Sequence, residues 1–176
     1  LSKTFPLVYE SRDWNHGVFM AATMGSEATA AAIGQEAIRR DPMAMLPFMG
    51  YNMAKYWAYW LSWGDRKDVK LPKIFRTNWF RKDDNGKFIW PGFGQNMRVL
   101  KWVVERVHGK ADAVDSPFGL MPRYEDITWA GINFDKNKYK GITDINREGA
   151  LAEAEALKDY FAKFGKDLPP ELEKQR

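Results

Sequence analysis

Asn78 to Asn96 reads NWFRKDDNGKFIWPGFGQN, and the elements on either side of it set the fold class. Just upstream and overlapping it, Leu71 to Phe80 (LPKIFRTNWF) reads as a β-strand bounded by a charged turn, Gly64 to Lys70. Arg81 to Lys87 is a hairpin loop with Asn85-Gly86 at its tip, the pair that best tolerates the positive φ angles of a tight turn. Phe88-Ile89-Trp90 forms the return arm. Downstream, Asn96 to Val107 predicts a helix whose apolar face is Leu100, Val103, Val104 and Val107, with Arg98, Lys101, Glu105 and Arg106 mostly outside. Asn96 occupies the N-cap position and Gly109 closes the helix. A hairpin feeding a helix predicts an α/β chain of mixed α+β type.

The same nineteen positions carry Trp79, Phe80, Phe88, Trp90 and Phe93, with Gly92 and Gly94 on either side of Phe93. Glycines there let the backbone approach a ligand, and free amides at a helix start suit acceptor atoms. Phe80 and Phe88 lie on the two arms of one hairpin, so both can face a cavity shared with Phe93. A flat heteroaromatic base fits such a slot, each stacking partner contributing about 1 to 3 kcal/mol. Stacking does not tell bases apart. Asn96, or backbone groups from Phe93 to Asn96, can offer the donor and acceptor set that a guanine edge needs. Composition and spacing alone favour the plainer reading: three core phenylalanines, with Asn96 only as a cap.

Elsewhere, Phe5 to Glu10 is extended after Pro6, and Trp14 to Met24 (WNHGVFMAATM) is a buried helix or strand. Nothing start-like precedes it, so the chain reads as an excised piece. Gly25 to Ile38 (GSEATAAAIGQEAI) contains four alanines between glycines; alanine folds locally but buries little area, which suits a mobile lid or, equally, a short surface helix. Met53, Tyr56, Trp57, Trp60 and Leu61 recur at helical spacing and read as core. A last helix runs from Arg147 to Phe164 between Asn146 and Gly165, with Leu151, Ala154, Leu157, Phe161 and Phe164 inward. Residues 146 to 176 form a solvated helical region.

Composition removes several classes. The 176 residues are about one domain, 45% hydrophobic, with 27 basic and 23 acidic side chains giving a net charge of +4. That excess is spread along the chain and does not announce a nucleic-acid binder. With no cysteine and only His16 and His108, thiolate sites and a histidine-rich metal cluster are excluded. No run approaches the ~18 apolar residues of a membrane span, and the N-terminus lacks the order of a signal peptide. The expectation is a soluble cytoplasmic protein from a reducing compartment.

PLVYESRDWNHGVFMAATMGSEATAAA (6–32), RRDPMAMLPFMGYN (39–52), KLPKIFRTNWFRKDDNGKFIWPGFGQNMRVLKWVVERV (70–107) and LPPELEKQR (168–176) together resemble the C-terminal part of GTP-dependent phosphoenolpyruvate carboxykinase. The likeness runs in family order over most of residues 5 to 125 and is looser over 126 to 176. A full-length member is several times longer, so this chain corresponds to less than a third of the enzyme and a partial nucleotide-binding domain.

The resemblance implies an enzyme of gluconeogenesis, a lyase that converts oxaloacetate and GTP to phosphoenolpyruvate, CO2 and GDP. It uses Mn2+ at the active site and a second ion, Mg2+, with the nucleotide. It further implies that Phe80, Phe88 and Phe93 sandwich the guanine beside Trp79, and that Phe93, Gly94, Gln95 and Asn96 read its edge. An Ω-shaped lid falls on about Ala28 to Ile38, with Glu27 at its hinge and Ala28, Thr29, Ala30, Ala31 and Ala32 in its first half. Phe48 maps near the substrate. The phosphate loop, metal ligands and substrate arginines of the family map upstream of Leu1, so no metal ligand or catalytic group is expected here and the isolated piece is expected to be inactive. The implied full enzyme is a monomer with neither nucleic-acid nor membrane partners. Where this chain has Gly25 and Leu46 some members carry arginine, so latch contacts made by those arginines do not carry over. The rival reading is a noncatalytic single-stranded RNA binder or structural domain, motivated by basic residues interleaved with aromatics around Lys73, Arg76, Arg81 and Lys82. His16 and His108 read as structural.

Overall fold

The computed structural model describes residues 3–27 and 38–176. The chain folds as two compact units, one of Arg12–Ile74 with Glu148–Arg176, the other of Ser2–Ser11 with Phe75–Arg147. The architecture is mixed α and β with antiparallel sheets, as the sequence predicts.

In the first unit, helix α1 (Trp14–Ala22) begins where the Asp13 carboxylate accepts the His16 amide at 2.8 Å, settling the helix-or-strand ambiguity in favour of helix. Gly17 packs closely on Ile74: a β-carbon there would lie 2.5 Å from Ile74 Cδ1 and 3.1 Å from its Cβ, so the isoleucine would have to shift. Helix α2 (Met53–Ser62) is capped by Asn52, which accepts the Ala54 amide at 2.9 Å, and buries Met53, Trp57 and Leu61 as expected. Trp57 is fully buried and meets Phe161 and Phe164 edge-on, at 6.1 and 4.5 Å between ring centres. Those two phenylalanines come from helix α5 (Arg147–Ala162) and the turn after it, where Gly165 takes a φ of +56°. A short helix, α6 (Pro170–Gln175), closes the unit through the buried Leu172.

Strands β2 (Gly25–Glu27) and β3 (Ile38–Arg40) pair antiparallel, Gly25 against Arg40 and Glu27 against Ile38. Residues 28–37, which carry the lid reading at Ala28, Thr29, Ala30, Ala31 and Ala32, lie outside the described residues. Arg40 sets its guanidinium against the Glu153 carboxylate with two bonds of 2.6 and 3.0 Å, and reaches the Thr23 carbonyl and the face of Tyr160. This pair corrects the reading of α5. Leu151, expected inward, is 59% exposed, and Glu153 is buried in its stead because Arg40 compensates its charge.

In the second unit, β1 (Val8–Glu10), β4 (Phe75–Thr77), β5 (Val114–Ser116) and β6 (Gly119–Met121) form an antiparallel sheet in the order β4-β1-β6-β5, with Tyr9 opposite Arg76 and Glu10 opposite Leu120. The strand expected over Leu71 to Phe80 is only three residues long. Pro72 has no amide to give a ladder, and Asn78 turns the chain by donating to the Phe5 carbonyl at 2.7 Å and accepting from the Phe80 amide. Helix α3 (Asn96–Val107) has the expected span but a different face. It buries Val99 and Trp102, while Leu100, Val104 and Val107 are 40 to 54% exposed. Arg106, placed outside by periodicity, instead binds the buried Glu10 carboxylate at 2.7 Å. Helix α4 (Lys136–Thr143) completes the unit, burying Tyr139 and Ile142.

Two consequences are measurable. Removing one partner of a buried ion pair costs about 3 kcal/mol, whereas an exposed pair contributes under about 1 kcal/mol. Glu153→Ala is therefore expected to lower the unfolding midpoint markedly and Arg39→Ala, which breaks the exposed pair with Asp41, hardly at all; equal effects in denaturant titrations would contradict this account.

Burial raises the phenol pKa of both Tyr139 and Tyr160 well above the ordinary value. The unfolded chain loses these protons first. Stability is then fully present below about pH 10 and falls as pH rises beyond it, by about 1.4 kcal/mol per pH unit for each tyrosine. Tyr160→Phe is expected to flatten that alkaline decline in denaturant midpoints measured from pH 8 to 11.

Candidate guanine-binding hairpin

The hairpin that carries the candidate rings is built by its own polar residues. Asp83 accepts the amides of Asn85 and Lys87 at 3.0 and 2.9 Å, Gly86 takes a φ of +78°, and the Ile89 amide donates to the Arg81 carbonyl at 3.0 Å. Lys82 stands opposite Phe88 in an isolated antiparallel bridge, so the arms are shorter than regular strands.

Arg81 fastens this hairpin to its unit. Its guanidinium donates to four main-chain carbonyls, those of Gly141 and Asp144 at the end of α4 and those of Lys3 and Phe5 ahead of β1, at 2.7 to 3.2 Å. Only 6% of the residue is exposed, and burial pushes its pKa down while Asp144 opposes the shift. Reading Arg81 as part of a polar loop misses this role, because the acceptors are carbonyls from distant segments and no residue type marks them.

Phe80 and Phe88 are brought together on the outer side of that support. Their ring centres are 6.1 Å apart at 65°, and the residues are 60% and 52% exposed. Phe93 is 91% exposed and forms no ring pair among the described residues. The plainer reading, in which all three rings fill a core, is thus incorrect. The buried aromatic of the stretch is Trp90, 4% exposed, which lies 5.4 Å from the partly buried Trp79 packed beside it against the core.

The segment after Phe88 differs from expectation at one cap. Gly92 carries the positive φ of +116° that only glycine adopts freely, and Phe93 to Gln95 form a 3-10 turn leading into α3. A β-carbon added at Gly92 or Gly94 would meet nothing within 4 Å, so the backbone here is open to an approaching group. Asn96 is already helical and caps nothing; the residue ahead of the helix is Gln95, whose side chain accepts from Arg98 at 2.6 Å. The Asn96 side-chain oxygen instead accepts the indole N–H of Trp90 at 2.7 Å. Through Trp79 and Trp90 the hairpin and the start of α3 therefore share one support.

Phe48 lies in the other unit, in the turn Leu46–Phe48, and is 76% exposed. His16 is structural: buried, it accepts the Arg12 amide on Nδ1 at 3.1 Å. His108 ends α3.

The family described as "Phosphoenolpyruvate carboxykinase C-terminal P-loop domain" matches residues 1–176. The chain belongs to the GTP-dependent phosphoenolpyruvate carboxykinase family. Relatives carrying the name phosphoenolpyruvate carboxykinase [GTP] include one from Chlamydia pneumoniae, 45% identical over 173 residues, covering 97% of this chain and 29% of the relative. Those from Renibacterium salmoninarum and Neocallimastix frontalis are 46% and 48% identical, each covering 96% of this chain and 28% of the relative. The chain thus spans less than a third of the length of these carboxykinases.

Arg81→Lys tests the support of the hairpin. Lysine supplies one compact cation in place of a planar fork and leaves buried carbonyls unmet, a loss of about 2 kcal/mol. In the full-length protein the variant is expected to melt earlier; an unchanged melting curve would remove Arg81 from this role.

Proposed function

We propose that this chain is the base-recognition portion of a phosphoenolpyruvate carboxykinase, which turns oxaloacetate and GTP into phosphoenolpyruvate, CO2 and GDP. The observation that carries the reading is the pair of exposed phenyl rings, Phe80 and Phe88, held outward on a hairpin whose base is locked by Arg81. Apolar rings left in water on a rigid support favour a flat, apolar-faced ligand that covers them. Phe93, at the open Gly92 to Gly94 turn, supplies a further ring, and Trp79 backs the slot from inside.

In this reaction the C–C bond to the leaving carboxylate breaks and its electron pair becomes an enolate. The enolate oxygen then attacks the γ-phosphorus of GTP, and the β–γ bridging oxygen leaves with GDP. Water would protonate the enolate to pyruvate before transfer, so the chemistry requires that solvent be shut out. We assign that task to the segment from Glu27 to Ile38. The antiparallel neck supports the assignment, because Glu27 lies opposite Ile38 and the ends of the intervening segment are side by side, as an Ω-loop requires.

Phosphoryl transfer of this kind also employs divalent ions, Mn2+ and Mg2+ by family resemblance. Among the described residues no three side chains of the metal-binding kinds gather. The phosphate-holding and ion-holding groups are assigned to the remainder of the enzyme, and the 176-residue chain alone to an inactive, cytoplasmic piece of it. No described helix is long and apolar enough to cross a membrane.

In the full-length protein, Phe88→Ala removes one stacking face, worth about 1 to 3 kcal/mol, and is expected to raise the KM for GTP roughly tenfold or more with little change in the KM for oxaloacetate. Steady-state kinetics with each substrate varied separately reads this. Equal rises in both constants, or equal use of ATP and GTP by the unaltered protein, would end the proposal.

A further inference from the structure

We propose that Trp90 is a positioning residue that sets base identity by fixing which way the Asn96 carboxamide faces. The inference rests on the guanine reading above and extends it to a residue that touches no ligand. An indole nitrogen can only donate, so the Asn96 atom at 2.7 Å from Trp90 Nε1 has to be the oxygen. The two Asn96 amide hydrogens then face away from Trp90.

Trp90 cannot readily surrender this orientation. The residue is 4% exposed and lies 5.4 Å from Trp79, 6.0 Å from Phe134 and 6.4 Å from Trp129, ring centre to ring centre. Turning the carboxamide over would set its NH2 against a buried N–H and leave both donors unmet. The arrangement is unusual within the molecule. Trp14, Trp102 and Trp129 donate to main-chain carbonyls of Trp60, Asp112 and Tyr124, which have no alternative state to be chosen. Trp90 donates to a side chain that has two.

A carboxamide fixed in this way offers a base edge a donor. Guanine presents a carbonyl oxygen at position 6 and accepts it; adenine presents an amino group there, and two donors face each other. The same side chain with its faces exchanged would accept adenine's amino group and meet guanine oxygen to oxygen. Asn96 alone is therefore indifferent to the base, and the indole behind it makes the choice.

The test uses the full-length protein, with GDP, ADP and the diphosphate of 2,6-diaminopurine riboside, which keeps guanine's 2-amino group but replaces the 6-oxygen with an amino group. The unaltered protein is expected to prefer GDP to both by tenfold or more. Trp90→Phe keeps an aromatic ring but frees the carboxamide, so the GDP to diaminopurine ratio is expected to fall towards one. Asn96→Asp keeps an oxygen for the indole and presents a second oxygen outward, and is expected to reverse the preference towards the 6-amino bases. It is read independently should Trp90→Phe fail to fold. A ratio unchanged in a folded Trp90→Phe protein, or GDP still preferred as strongly in Asn96→Asp, overturns the role of Trp90. Absence of base preference in the unaltered protein instead refutes the guanine reading itself.

Discussion

Buried hydrogen-bond donors must find acceptors, and in the second unit that requirement organises everything around the hairpin that carries Phe80 and Phe88. The Arg81 guanidinium is buried among backbone segments and satisfied by four carbonyls. Those carbonyls belong to the chain ahead of β1 and to the end of α4, so one side chain fixes where the hairpin leaves the sheet. The Trp90 indole makes the same demand further along the chain and is answered by Asn96. Between them these two donors define the inner face of the hairpin, and Phe80 and Phe88 are left on the outer one. By contrast the indole nitrogens of Trp57 and Trp60 are buried with no acceptor among the described residues, each at a cost of about 1 to 3 kcal/mol. Those two sit in a helix core where ring packing dominates.

How the aromatics divide explains why so many are present. Trp57, Trp90 and Trp102 are nearly inaccessible and carry the two cores, while Phe80, Phe88 and Phe93 remain open to solvent. A stable fold does not need the second group. Burying Phe80 and Phe88 against the unit would be favourable by about 1.5 to 3 kcal/mol each, so their exposure is a departure that folding alone does not explain. Other large apolar side chains, Phe48 and Met97 among them, are exposed too; what marks the hairpin is that two such rings, Phe80 and Phe88, stand together on one support.

Much of this was legible in the residues. The Asn85-Gly86 turn and the glycines after α3 and α5 act within a few positions of themselves and lie where the sequence predicts, whereas the caps at Asp13 and Asn52, equally local, are not read from it. The adjacency of Phe80 and Phe88 follows from the hairpin register in the same way. What local pattern misassigns is the helix faces. On α3 Leu100, Val104 and Val107 stay exposed because the larger Trp102 takes the buried face and Arg106 is drawn inward by Glu10. On α5 a leucine is displaced by a glutamate for the sake of Arg40, 113 positions away in sequence. Both reversals come from buried ion pairs, whose partners are invisible to any local pattern. Asn96 is the same lesson at short range: its position suits a cap, but an indole six residues earlier claims its oxygen first.

The neck formed by β2 and β3 shows how the two ends of a segment can be held firmly by very little pairing. Only three residues pair on each strand, which is a marginal sheet in isolation. The pairing is reinforced at Arg40, which joins the end of β3 to Glu153 of α5, to the Thr23 carbonyl and to the Tyr160 ring, while Tyr160 itself donates to the Ala22 carbonyl at 3.2 Å. The charge of Arg40 is compensated where it is buried, so β3 is tied to α5 by an ion pair as well as to β2 by its ladder.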